Sequence, residues 1–119
     1  MYPLLNKGEY VFCSIPNDSA LNTDKILFYF KEKEGITIVV EKQEAEEKNY
    51  NYTSTFAWIT FQVHSALEAV GLTAAFSQAL AENNISCNVV AGFYHDHIFV
   101  QYPLAQQAVD VLKKLSKTI

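Results

Sequence analysis

Between Phe56 and His64 apolar and polar side chains alternate with period two. Ala57, Ile59, Phe61 and Val63 share one face; Trp58, Thr60, Gln62 and His64 share the other. This pattern predicts a half-buried strand. Ser65-Ala-Leu-Glu68 then fits a capping box, with Ser65 as N-cap and Glu68 three residues on. Leu72, Ala75, Phe76, Ala79 and Leu80 follow at helical spacing, in a helix that starts at Leu67 or only after Gly71. Asn83-Asn84 ends it. Ile85 to Val90 reads as a strand, Gly92 to Asp96 as a turn and His97 to Tyr102 as a second strand. Pro103 suits the first turn of a terminal helix, and Leu104, Ala108, Val111, Leu112 and Leu115 line its buried side.

The first half carries the same kinds of signal with less helix. Tyr10 to Ile15 predicts a strand, stopped by Pro16-Asn-Asp-Ser19. Ile26 to Phe30 is a short aromatic run whose β-rich composition favours strand over helix. Lys31 to Gly35 is a polar turn, and Ile36 to Val40 is a strand. Glu41 to Lys48 holds helix formers with Ala45 as its only apolar residue, the mark of a short, solvated helix. Asn49 to Ser54 is a polar connector and the best boundary.

Laid side by side, the halves share an order of elements but almost no residues. The second runs strand, helix, strand, turn, strand, helix. The first matches it if Pro16 to Lys25 stands in for the first helix. The expectation is a duplicated βαββα unit: a reduced copy over residues 1–54 and a full copy over 55–119. Such a unit folds as α+β, an antiparallel sheet with helices on one face, the ferredoxin-like arrangement. A reduced copy of some fifty residues cannot cover a sheet alone, so the two are expected to be fused in one compact body.

Composition narrows the function. The chain has 119 residues, 50% hydrophobic and 18% charged, with a net charge of −4. This is the balance of a folded chain that can bury a core without disulfides. The charge gives no basic footprint for nucleic acid, and the Lys residues are too interleaved with Glu to form a membrane-binding patch. Met1 to Tyr10 lacks the apolar run of a signal peptide, so the expected compartment is the cytoplasm. Cys13 and Cys87 sit in apolar runs without CxxC spacing, which predicts two buried free thiols.

Residues 64–90, from His64-Ser-Ala-Leu-Glu-Ala-Val-Gly-Leu-Thr to Ser-Cys-Asn-Val-Val, resemble an ACT domain. Such domains run from a strand into a loop, a Gly, a helix and then an L-x-x-x-x-I passage, here Leu80 to Ile85. More narrowly, Glu34-Gly35-Ile36-Thr, Leu67 to Ala75 and Ile85 to Val100 resemble small bacterial proteins with tandem ACT-like domains. The resemblance implies a regulatory module that binds an amino acid or similar small ligand where two domains or subunits meet. It implies a homo-oligomer, with a dimer favoured. The ligand site would comprise His64, Ser65, Leu67, Glu68, Val70, Gly71 and Leu72, helped by Asn88 on a neighbouring strand. Where ACT domains often place Pro before the Gly, this chain has Val70.

Other chemistry is weaker. His95 and His97 point to one side of a strand, and His64 on the neighbouring polar face could join them around a metal ion. A polar hairpin tip explains the same residues without a metal. Cys87 inside a strand is a poor nucleophile, and Ser65 and Glu68 are explained as the two halves of a helix cap. No phosphate-binding loop appears. The residues therefore point away from an enzyme, and no cofactor is implied. The alternative to a ligand sensor is a scaffold that keeps the fold and uses the aromatic sheet face around Trp58 for assembly.

Overall fold

The structure is a computed structural model that describes residues 2–62 and 71–117. Its strands are β1 (Tyr2–Leu5), β2 (Tyr10–Ile15), β3 (Ile26–Lys31), β4 (Ile36–Glu41), β5 (Phe56–Gln62), β6 (Cys87–Ala91) and β7 (Asp96–Gln101). Its helices are α1 (Lys42–Lys48), α2 (Leu72–Glu82) and α3 (Ala105–Ser116), the last entered through a 3-10 turn over Tyr102–Leu104 that contains Pro103. The chain divides into two compact units. One is Gly8–Phe56; the other joins Met1–Lys7 to Ala57–Ile119.

In the Gly8–Phe56 unit the strand order is β3-β4-β2, all antiparallel. Alternation sorts the side chains. Val11, Cys13, Ile15, Ile36, Ile38 and Val40 form a buried layer, joined by Ala45 of α1. On the other face Phe12 meets Phe28 and Phe56 edge to face, with ring centroids 6.2 and 5.1 Å apart. Residues 16–25 contain no helix, so the Gly8–Phe56 unit has no counterpart there of α2. α1 presents one buried residue, Ala45, and ends at Asn49 in the left-handed conformation (φ 57°), which Asn tolerates.

The second unit has the order β1-β5-β7-β6. Among the described residues from 56 on there are three strands and two α-helices; a fourth strand comes from β1. β1 pairs antiparallel with β5, Tyr2 opposite Gln62 and Leu5 opposite Ile59. Pro3, at the edge of this sheet where a missing N–H is tolerated, is buried. The core lies between sheet and helices. Ala57, Ile59 and Phe61 of β5 meet Leu72, Phe76 and Leu80 of α2 and Ala108, Val109 and Leu112 of α3. The Phe61 and Phe76 rings stack at 5.6 Å.

Two sequence expectations change in detail. Asp96 is the first residue of β7 and is buried, rather than the last residue of a turn. The face holding Trp58, Thr60 and Phe99 is not an ordinary solvated one: Thr60 and Phe99 are buried and Trp58 is half-buried.

Candidate functional site

α2 begins at Leu72, the later of the two starts the sequence allowed. Gly71 is its N-cap, with φ +85°, a conformation that costs a side chain about 1–2 kcal/mol and glycine nothing. Among the described residues a Cβ built on Gly71 meets nothing within 4 Å, so the glycine serves the backbone conformation. The first intrahelical bond runs from the Ala75 amide to the Gly71 carbonyl at 2.9 Å. The amides of Leu72, Thr73 and Ala74 precede it, and no side chain among the described residues caps them. The first turn carries no acidic residue. The positive end of the α2 dipole lies at this N-terminus.

The other expected ligand residues fall in different places. Leu72 turns its side chain into the core. Asn88 is exposed on β6; its neighbours Cys87 and Val89 pack toward the core, so alternation sends Asn88 to the opposite face of the sheet. His64, Ser65, Leu67, Glu68 and Val70, with the Ser65–Glu68 capping box, lie outside the described residues.

A polar network on the second unit's sheet was not foreseen as such. Trp58 Nε1 donates to His97 Nδ1 at 3.0 Å, which makes Nδ1 an acceptor and leaves the imidazole proton on Nε2. Thr60 Oγ1 lies 3.3 Å from the same nitrogen and accepts from Asn6 Nδ2 at 2.9 Å. Asn6 also bonds to the Trp58 carbonyl, from its amide at 2.9 Å and its side chain at 3.2 Å. The segment after β1 is thus fastened to β5. Burial, and then the neighbouring His95, push the His97 imidazole below its ordinary pKa, against an opposing pull from Asp96. His95 Nδ1 is buried with no partner among the described residues. Among those residues no group of three His, Cys, Asp or Glu could hold a metal ion. Of the three histidines the sequence left open as a metal alternative, His97 already spends one ring nitrogen on Trp58, and His64 lies outside the described residues.

Two concave surfaces had no sequence signal. In the Gly8–Phe56 unit a cleft of about 420 Å³ lies beside Tyr10, Asp24, Lys25, Glu41 and Glu44. Burial and the Glu41 carboxylate raise the Tyr10 phenol. In the other unit a groove of about 580 Å³ runs along α2 and α3 over Ala79, Val111 and Leu115. Both thiols are free: Cys13 is buried and pushed up in pKa by that burial, and Cys87 is half-buried, 3.9 Å from Ser77 Oγ. Among the described residues no helix is long and apolar enough to cross a membrane.

An α+β fold of antiparallel strands and helices, matched by two tandem regulatory domains, places the protein among the regulatory ligand-binding modules. The chain belongs to the ACT domain family, which matches it twice in tandem, over residues 1–57 and 53–114. It is similar to a Vibrio cholerae protein of unknown function described as a possible transport protein. That likeness has 45% identity and a TM-score of 0.85, over 95% of this chain and 88% of that one. A protein from Agrobacterium tumefaciens shares the fold at 17% identity and a TM-score of 0.78, over 93% of this chain and 85% of that one. So does the ligand-free regulatory subunit of aspartate kinase from Thermus thermophilus, at 10% identity and a TM-score of 0.65 over 96% of each chain. A search of curated proteins found no match.

Proposed function

We propose that this chain is a non-catalytic cytoplasmic sensor that binds an amino acid or similar small ligand at the start of α2, where two domains or two copies meet. We also assign residues 1–54 to the reduced domain and 55–119 to the ligand-binding one, with the first strand lent across. The observation that supports this reading is the open helix start at Gly71. A left-handed glycine and three early amides without a cap among the described residues would form a receptor for a carboxylate. His64, Ser65, Leu67, Glu68 and Val70 would surround the rest of the ligand, and Asn88 would reach it from a second copy.

Thermal shift against the amino acids, one at a time, tests the reading. A ligand at a hundred times its dissociation constant adds about 2.7 kcal/mol to stability. Gly71→Val should abolish the shift while leaving the helix content in place. If no amino acid moves the wild-type transition, the ligand reading is wrong. The scaffold alternative has its own support in Phe93 and Tyr94, whose rings stand out in solvent.

A further inference from the structure

The groove of about 580 Å³ along α2 and α3 has an apolar floor and a charged rim. Ala79, Val111 and Leu115 form the floor, each half-buried. Val111 and Leu115 pack against the core with part of their surface and leave the rest in the groove. Glu82, Asp110, Lys114 and Lys117 stand on the rim, all exposed. Helical spacing explains the arrangement: Gln107, Asp110, Val111, Lys114 and Lys117 follow one another at intervals of three and four and share one side of α3. Apolar side chains that share a groove under a polar rim mark an interaction surface.

The acids of the rim are engaged on their own helices. Gln106 Nε2 donates to Asp110 Oδ1 at 3.0 Å, and Gln78 Nε2 donates to Glu82 Oε1 at 3.1 Å. Asp110 stands four residues before Lys114, the spacing of an intrahelical ion pair. Yet among the described residues neither Lys114 nor Lys117 forms an ion pair. The helix dipole favours lysine in the last turn, but it does not set the spacing of the polar positions. That spacing is symmetric. Asp110 and Lys114 lie two residues before and after Leu112, and Gln107 and Lys117 lie five before and after it.

We infer that this groove receives a second copy of the chain, α3 antiparallel to α3 about a twofold axis at the level of Leu112. Antiparallel helices bring together residues at equal steps on either side of the axis. Asp110 of one copy then faces Lys114 of the other, Gln107 faces Lys117, and each contact is made twice. The floor residues Ala79, Val111 and Leu115 of both copies lose water between them. Such a face is complementary to itself, so the assembly closes as a dimer. Charge points to a second copy rather than to an acidic or a basic partner. Each chain carries a net charge of −4 and repels its twin at a distance, whereas this face sets acid and base in mirrored places and attracts it at contact. None of these residues belongs to the proposed ligand site, so the inference goes beyond the ligand reading and stands without it.

Light scattering on the full chain during size exclusion should give twice the mass of one chain. Asp110→Lys sets base against base across the axis, and Lys114→Asp sets acid against acid. Each variant alone should raise the dimer dissociation constant by about tenfold or more. Mixed in equal amounts, the two variants should pair with each other, because each then meets the opposite charge at both contacts. Recovery on mixing cannot come from a repaired fold, since each chain keeps its own substitution. Lys33→Asp, at the tip of the β3–β4 hairpin, makes the same change of charge as Lys114→Asp and should leave the dimer unchanged. Circular dichroism checks that the helices survive. Val111→Ser, on the groove floor, should also weaken the dimer and decides the matter if a charge variant does not fold. A wild-type monomer, a dimer indifferent to these substitutions, or a mixture that stays monomeric overturns the inference. A monomer that still gains stability from an amino acid would do so while leaving the ligand reading intact.

Discussion

The two units share an order of strands and differ in what covers them. In Gly8–Phe56 the span between the first two strands is a loop over residues 16–25, and the one helix buries a single alanine. In the other unit the corresponding span leads into α2, whose Leu72, Phe76 and Leu80 fill the core. Among the described residues that unit has the left-handed glycine at a helix start and the aromatic hairpin tip, Phe93 and Tyr94.

The largest expected effect tests where the core resides. Phe76→Ala removes a fully buried ring stacked on Phe61 and should cost about 3–5 kcal/mol in urea unfolding. No single substitution on α1 to a residue of equal size should approach this; if one does, the units are not unequal in the way described. Next is the helix start. Gly71→Ala should cost about 1–2 kcal/mol, because a side chain must adopt φ +85°, even though space for it exists. A smaller loss would mean the backbone relaxes there, and the receptor is not held open by glycine.

The third effect belongs to the Trp58–His97 bond. The folded pKa of His97 lies below its unfolded value, near 6.5, so the folded state binds the proton less well than the unfolded one. The stability this gives is present above the unfolded value and is lost as pH falls through that value toward the folded one. Melting temperature should drop as pH falls below the unfolded value near 6.5, and His97→Asn should flatten that drop. Trp58 is the chain's only tryptophan, so its fluorescence in the folded protein should titrate with His97, at a midpoint below that unfolded value. An unchanged profile in His97→Asn would assign the pH dependence to other groups. The smallest effect concerns the tips. Grafting the aromatic pair onto the first hairpin, Lys33→Phe with Glu34→Tyr, should change folding stability by less than about 0.5 kcal/mol. A large change would show that the tip residues matter to the turn after all.

Most strands and helices could be read from the sequence because their periodicity is strong. β2 and the buried positions of β5 are examples. β1 could not: Tyr2-Pro-Leu-Leu is short and contains a proline, and it becomes a strand only because β5 has a side to lend. Alternation put Trp58 and Thr60 on one face of their strand but could not say that Thr60 would be covered. The Trp58–His97 bond joins residues 39 apart, beyond any local rule. For the candidate site, Gly71 was legible as a special backbone position. Asn88 was read by resemblance, though strict alternation from Cys87 already sets it on the face away from the helices.

The pairing of β1 with β5 has a consequence in time. The first strand leaves the ribosome before anything it can pair with exists, and Tyr2 meets Gln62 only after the whole Gly8–Phe56 unit has been made. The Asn6 side chain waits for Thr60 across 54 positions. Contacts of such span are slow to close, while the strands of Gly8–Phe56 pair with near neighbours in sequence. The Gly8–Phe56 unit is therefore set to fold first, and the other unit closes when β1 finds β5.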